Sequence, residues 1–343
     1  MPSIIVPIDL GRRPQQLLER VARLISSVKD TRYELVIGHA DRRMTSDESI
    51  QALVRTESGG NVVLVSEPFK TGASNMARVR NMAVKCATKS VVLLLDVDIY
   101  PDLQLFDGLT EAVVQGAPLS MAPCLYLTQK GTALIAHGGK KAILESYFGF
   151  SPEFVLHLAT PSSVMAFKRD DYWKIGGFFE GYQGHGYEDF DFMLRLALEK
   201  SLVNPCPDLL VDKNYRAPLL AEGFRGELAN LSLENLVDRN FAFHMFHNKD
   251  QQEHYYQSRV QNALLFNKRV SEFILYTPQN NSKLTAPNLV INFYAQCYRR
   301  GIDPARFYAL FDARPRYMLK KKSLLQRVAR GLKSVLGKIE RNR

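Results

Sequence analysis

The sequence has no run of eighteen apolar residues, so no stretch is long enough to cross a bilayer as a helix. Its four cysteines, Cys86, Cys124, Cys206 and Cys297, lie far apart and match no zinc spacing. A disulfide-built mini-domain and a zinc module are therefore excluded, and free thiols in a reducing compartment are expected. The start, Met1 to Pro7, has neither a basic flank nor a long apolar stretch and reads as a first strand rather than a leader. No repeat and no low-complexity linker interrupts the chain. The loop after the first strand, Asp9-Leu10-Gly11-Arg12-Arg13, holds a single glycine, which argues against the dinucleotide fingerprint of a dehydrogenase or methyltransferase. With 46 % apolar and 23 % charged residues, the 343-residue chain is neither disordered, collagen-like nor coiled-coil. It has room for one large domain with an appendage, or for two domains.

The net charge of +10 is concentrated. Residues 312–343 carry 11 Lys/Arg and 2 Asp/Glu, whereas the other 311 residues carry 34 basic and 33 acidic side chains. A basic body for nucleic acid is thus unsupported, and the tail offers no aromatic platform for bases. In the tail Leu324, Leu325, Val328, Leu332, Val335, Leu336 and Ile339 recur at helical spacing beside Lys320, Lys321, Lys322, Arg327, Arg330, Lys333 and Lys338. Such a helix over residues 318–343 is expected to lie on an anionic membrane surface, or else to pack on the body with a solvated basic face.

The body begins as an α/β chain. Strands are expected at Ile4–Ile8, Tyr33–Gly38, Asn61–Val65 and Val91–Leu95, with helices at Pro14–Val28 and Ser74–Ala87. The second helix would turn Met76, Val79, Met82, Ala83 and Cys86 inward. The apolar run Val91–Leu95 suits a strand covered on both faces. Further on, helices are expected at Leu109–Val114, Lys141–Phe148 and Tyr187–Leu198, and strands at Leu119–Leu127 and Ser162–Phe167. Residues 208–250 read as mixed and 251–343 as mainly helical, with the body ending near 250–270.

Three patches carry chemistry. The first is Leu95-Asp96-Val97-Asp98-Ile99, two carboxylates at the C-terminal end of a buried strand, the edge where open α/β sheets bind ligands. Close like charges there need a positive partner, and a hard divalent cation with diphosphate oxygens is one. Capping of the loop is the plainer use of such a pair. The second runs from Gly176-Gly177-Phe178-Phe179-Glu180 to Gly184-His185-Gly186-Tyr187-Glu188-Asp189-Phe190-Asp191. Its five glycines in eleven residues allow close approach to a ligand, and its carboxylates either cap the next helix or place a general base. The third, Phe243-His244-Met245-Phe246-His247, offers an imidazole to a metal site begun by Asp98, or two structural histidines.

In this order the patches resemble glycosyltransferase family 2, the nucleotide-sugar-dependent enzymes of the A-type fold. The chain looks most like bacterial chondroitin-polymerase-like and β-1,4-galactosyltransferase-like catalytic domains. Ile4-Ile5-Val6-Pro7-Ile8 looks like the opening strand, and Asn75 to Ala83 like the helix before the metal motif. Asp96-Val97-Asp98 looks like the Asp-x-Asp motif, and residues 176–191 like the acceptor-side Gly-Gly-Phe and Glu-Asp motifs. The resemblance spans roughly residues 3–250. It implies one mixed central sheet flanked by helices, with a catalytic domain over 1–255 and a mainly helical extension over 256–343.

The resemblance also implies roles. Asp98 would bind Mn²⁺ or Mg²⁺ with His247, His244 being less favoured. Asp96 would be counted with the metal residues, meeting the ribose or, through water, the metal-bound diphosphate. Asp189 would be the base, with Glu188 beside it facing the acceptor. Pro7, Asp41 and Arg78 would contact the UDP-sugar donor, with Arg80 ranked below Arg78. An inverting transfer of a hexose or N-acetylhexosamine to an oligosaccharide, polysaccharide or lipid-linked glycan is the implied reaction. Bacterial capsule or lipopolysaccharide synthesis, on the cytoplasmic face of the inner membrane, is its implied setting. Two positions depart from the pattern. His185 stands where galactosyltransferase relatives carry Trp, and His39-Ala40-Asp41 lacks the usual Asp-Gly-Ser. A protein that keeps the fold but only binds sugar nucleotides is the alternative; it would release no nucleoside diphosphate.

Overall fold

The structure, a computed structural model, describes all residues except 58, 70–74, 214–215, 249–257, 277–287 and 313–343. The basic helix expected over 318–343 therefore lies outside the described residues. The chain opens β1 (Ser3–Ile8), α1 (Pro14–Val28), β2 (Glu34–Asp41), α2 (Thr45–Glu57), β3 (Val62–Pro68), α3 (Met76–Cys86) and β4 (Val91–Leu94). α4 (Leu103–Val114), β5 (Leu119–Met121), β6 (Cys124–Leu127), α5 (Gln129–Ala136), α6 (Lys140–Phe148), β7 (Val155–Ala159) and β8 (Met165–Lys168) follow. Then come α7 (Arg169–Lys174), α8 (Glu188–Glu199), β9 (Asp212–Lys213), β10 (Glu222–Gly223), α9 (Phe224–Asn230), α10 (Leu233–Val237) and β11 (Ala242–His244). Two further helices, Arg259–Tyr276 and Leu289–Arg299, form the extension with a 3-10 segment at Pro304–Phe311.

The central sheet has six strands in the order β3-β2-β1-β4-β8-β5, parallel from β3 to β4 and antiparallel at β8. Its strands alternate between two apolar layers, as a period of two requires. Ile5, Val36, Val92 and Leu94 enter one core, and Ile4, Val6, Leu35, Ile37 and Leu93 enter the other. Both layers are covered, which is why β4 is apolar throughout. A second sheet, β11-β6-β7, carries its own core with α10 and the helix Leu289–Arg299. The fold is the expected one: a mixed central sheet between helices, with a helical C-terminal extension.

Several local expectations are corrected. The helix α2 stands between β2 and β3, where none was read; only Ile50 and Val54 of its apolar residues are buried, too few to give a helical period. The expected strand Leu119–Leu127 is two strands in different sheets, divided at Ala122-Pro123, where proline lacks the ladder N–H. Cys86 is exposed, because α3 ends on it. β7 and α5 were not read at all, and β8 starts at Met165 rather than Ser162.

Candidate active site

β4 ends at Leu94, and the chain turns as the Ile99 amide donates to the Asp96 carbonyl at 2.9 Å. Val97 is buried in the core, so Asp96 and Asp98 flank an anchored residue. The next residues pair with the short strand β11. The Met245 amide donates to the Asp98 carbonyl and the Tyr100 amide to the Phe243 carbonyl, each at 2.8 Å, and Ile99 bridges His244. This pairing brings residues about 150 apart in sequence into one corner. One ligand atom each from Asp98, His244 and His247 lie within 4.8 Å of one another. The His244 ring stacks on Tyr126 at 4.1 Å, and Tyr126 stacks on His157 at 4.4 Å, which fixes the imidazole plane.

Asp98 is buried and sits among cations. Arg13 reaches both carboxylate oxygens, Nη2 to Oδ2 at 2.9 Å and Nη1 to Oδ1 at 3.3 Å. Arg20 Nε lies 3.9 Å from Oδ1 and His247 Nε2 lies 3.7 Å from Oδ2. Burial pushes the Asp98 carboxyl up, but the Arg13 hydrogen bond and the charges of His244, Arg13 and His247 outweigh it and hold it below its ordinary value. Arg13 caps α1 in the left-handed region, with φ 49°, and Pro14 starts the helix behind it. One carboxylate and two imidazoles are a donor set for a divalent cation. The imidazoles favour Mn²⁺ over Mg²⁺, whose ligands are almost wholly oxygen. Their ligand atoms lie within 4.8 Å of one another, so the residues present fit such an ion, for which Arg13 competes at Asp98.

The facing wall is built on Arg80, itself buried. Its Nη2 donates to Asp96 Oδ1 at 3.1 Å, and its Nη1 lies 3.3 Å from Asp189 Oδ1 and 3.6 Å from Glu188 Oε1. Ser163 Oγ donates to the other oxygen of Asp96 at 2.9 Å. Burial raises the Glu188 carboxyl, with Arg80 opposing and Asp96 adding. Burial likewise raises Asp189, with Arg80 opposing and Glu188 and Asp96 adding. Asp189 Oδ1 and Glu188 Oε2 accept no hydrogen bond, which leaves basic oxygens at the cleft. Asp191, by contrast, is fully buried and paired with Arg195 and Arg269, so its role is structural.

The glycine loop is aimed by α3. Asn81 donates from Nδ2 to the Phe178 carbonyl (2.9 Å) and to Glu180 Oε1 (2.8 Å), and its Oδ1 accepts from the Phe178 amide at 2.9 Å. Gly177, at φ 64°, runs so close that an added Cβ would stand 2.7 Å from Asn81 Oδ1. The backbone turns again at Tyr187, which adopts φ 74° immediately before α8. Its hydroxyl donates to Asp212 Oδ2 at 2.6 Å, anchoring a conformation costly for a residue with a side chain.

One cleft of about 160 Å³ takes in both walls. Of the residues expected there, Pro7, Asp96, Asp98, Glu188, Asp189, His244 and His247 line it. The metal-ligand cluster holds both histidines and not Asp96, which turns to Arg80 and Ser163. Asp41 does not line this cleft; its side chain accepts from the Arg43 amide at 2.8 Å. Arg78 is exposed and pairs with Glu67, whereas Arg80 lines the cleft. His185 also lines it. Sequence reasoning missed Arg13 and Tyr126. The arginine pair before Pro14, at the ligand edge of β1, was the available signal for the first; nothing in the sequence marked the second.

The chain matches the family described as glycosyltransferase like family 2 over residues 3–271. No curated protein matches it. Solved structures with a similar arrangement include TarS of S. aureus in complex with UDP-GlcNAc, at 12% identity and a TM-score of 0.39, covering 87% of this chain and 73% of that one. Another is glucosyl-3-phosphoglycerate synthase of Mycobacterium tuberculosis with Mn²⁺, UDP and glucosyl-3-phosphoglycerate, at 14% identity and a TM-score of 0.33, covering 85% and 91%. A third is the mannosyltransferase PcManGT of Pyrobaculum calidifontis with GDP-Man and Mn²⁺, at 14% identity and a TM-score of 0.36, covering 90% and 82%.

Proposed function

The chain belongs to glycosyltransferase family 2, and from that premise we propose an inverting, metal-dependent transfer of a hexose or N-acetylhexosamine from a UDP-sugar to a glycan hydroxyl. The observation that carries this reading is the single cleft with Asp98, His244 and His247 on one wall and Glu188 and Asp189 on the other. Asp98, His244 and His247 would hold the divalent cation, which supplies charge neutralisation to the departing diphosphate. Asp189 accepts the acceptor hydroxyl's proton as the hydroxyl oxygen bonds to the anomeric carbon and the bond from that carbon to the diphosphate breaks. Its raised basicity and its place lining the cleft suit that task. Arg80 holds both carboxylates in place and keeps Asp96 turned away from the metal set. One base near the anomeric centre is enough for inversion.

Nucleoside diphosphate release across a panel of UDP-sugars, with and without Mn²⁺, tests the assignment. Release from a UDP-sugar that depends on both the metal and Asp98 is expected. No release from any donor, or release indifferent to Asp98→Ala, overturns it. Residues 1–255 would form the catalytic unit and 256–343 its extension. The acceptor is proposed to be a surface polysaccharide or a lipid-linked glycan, with residues 318–343 on the anionic cytoplasmic face of the bacterial inner membrane. Among the described residues no helix is long and apolar enough to cross a membrane. Flotation with anionic vesicles should separate the full chain from one lacking 318–343, and equal flotation would refute the anchoring role.

A further inference from the structure

The carboxylates Glu188 and Asp189 are only as well placed as the turn before them. That turn is glycine-rich, with Gly184 at φ 63° and Gly186 at φ 100°, so its own sequence does little to fix it. A residue of the C-terminal extension does. Asn262, on the helix Arg259–Tyr276, is buried to 3% exposure. Its Nδ2 donates to the carbonyls of Gln183 (2.8 Å), Gly186 (3.0 Å) and His185 (3.4 Å), and its Oδ1 accepts from the Gln183 amide at 3.4 Å. A carboxamide has two N–H donors, so three carbonyls converge on a single fully committed group. Removing it would take the side-chain donor from all three carbonyls at once.

The same helix face grips the segment further along. Residues 262, 266 and 269 recur at four and three, one face of a helix. Phe266 is fully buried against Tyr187 and Phe224. Arg269 Nε donates to Asp191 Oδ1 at 2.6 Å. Arg259 lies over the Tyr187 ring at 5.1 Å from its centroid. The extension thus holds residues 183–191 on both sides of the two carboxylates, while α3 holds 177–180.

We propose that Asn262 is a positioning residue for catalysis, setting the Gln183–Gly186 turn so that Asp189 and His185 face the cleft. Catalytic geometry then depends on the helix Arg259–Tyr276, which the family match reaches as far as residue 271. The proposal rests on the glycosyltransferase reading for its functional consequence and on the hydrogen bonds alone for its structural one.

The variants are Asn262→Asp, which keeps the shape but removes the donors, and Asn262→Ala. Hydrogen exchange on the full chain should accelerate by about tenfold or more at residues 183–187, with α3 and β4 unchanged. UDP binding in the presence of Mn²⁺ should stay within about twofold of wild type, because the Asp98 wall is untouched. Turnover of the UDP-sugar from which the wild-type chain releases UDP should fall about 10- to 100-fold at saturating donor. Wild-type exchange at 183–187, or accelerated exchange with undiminished turnover, overturns the proposal. So does a loss of UDP binding equal to the loss of turnover, which marks a general structural role. If the wild-type chain turns over no donor, the glycosyltransferase reading has failed, and the exchange arm alone then decides whether Asn262 sets the turn.

Discussion

Replacing Arg80 with methionine removes one buried cation from among Asp96, Glu188 and Asp189 while keeping most of the side-chain volume. At an effective dielectric near 20, a unit charge pair at the 3.3 Å separation of Arg80 and Asp189 attracts by about 5 kcal/mol before desolvation is counted. Breaking a buried pair by removing one partner costs about 3–5 kcal/mol. With an unfolding entropy of ~2.1 cal/mol/K per residue, the 343-residue chain loses about 6 °C in Tm for ~4 kcal/mol. The sign with pH follows from the carboxyls. Burial already raises Glu188 and Asp189, and Arg80 opposes that rise. A group whose folded value lies above its unfolded value binds more protons in the folded state, so stability falls as pH climbs from the unfolded carboxylate range of about 4 through the folded value. Without Arg80 both values move higher, and the added penalty appears only as pH passes the wild-type folded value, about 8 for Asp189. Thermal unfolding of Arg80→Met should therefore show a drop of about 6 °C at pH 9.5, above the wild-type Asp189 value, and less than half of that at pH 6. An equal drop at the two pH values, or none, would refute the view that Arg80 is the counter-ion of these carboxylates.

Asp98→Ala should abolish Mn²⁺-dependent UDP release. It should also lower Tm, because Arg13 and Arg20 lose their buried partner; calorimetric titration of Mn²⁺ with UDP and a melt check both. Asp189→Asn should leave UDP affinity near wild type while turnover drops about 10²- to 10⁴-fold, read by steady-state kinetics at saturating donor. In the wild type, kcat should rise with pH through a midpoint above the ordinary carboxylate range, because burial raises the Asp189 carboxyl; a midpoint at or below that range would deny it the role of base. Gly177→Ala adds a Cβ at φ 64° only 2.7 Å from Asn81 Oδ1, and should cost about 1–3 kcal/mol in denaturant unfolding while releasing the loop that α3 holds.

Strands and helices with continuous patterns were legible. β4 reads as a strand because both its faces are buried, and α1 was bounded at Pro14 and Val28 by its apolar period. The site was legible as three patches, but the bonds between them were not. β11 has three residues, too few for any period, yet its pairing with residues 98–100 is what carries the histidines to Asp98. The residues alone offered one imidazole to a metal site begun by Asp98, with two structural histidines as the alternative, and the family resemblance only favoured His247 over His244.

The arginines show where pattern reading stops. Arg78 and Arg80 are two apart on α3, so they point to different sides of one helix. Which of them meets the cleft depends on how α3 docks, and that is set by Asn75 and Asn81 gripping residues 178–180. Asp96 and Asp98 pose the same problem with the opposite outcome. They flank the buried Val97, and each finds a different cation, Arg80 for the first and Arg13 for the second. The pair therefore joins the metal wall to the base wall rather than serving one ion together. A change at either arginine should then be felt on its own wall of the cleft. Arg13→Ala frees Asp98 for the metal set, and its effect should appear as tighter Mn²⁺ binding without a shift in the pH midpoint of kcat. A shifted midpoint in that variant would mean that the two walls share charge directly and that Val97 does not insulate them.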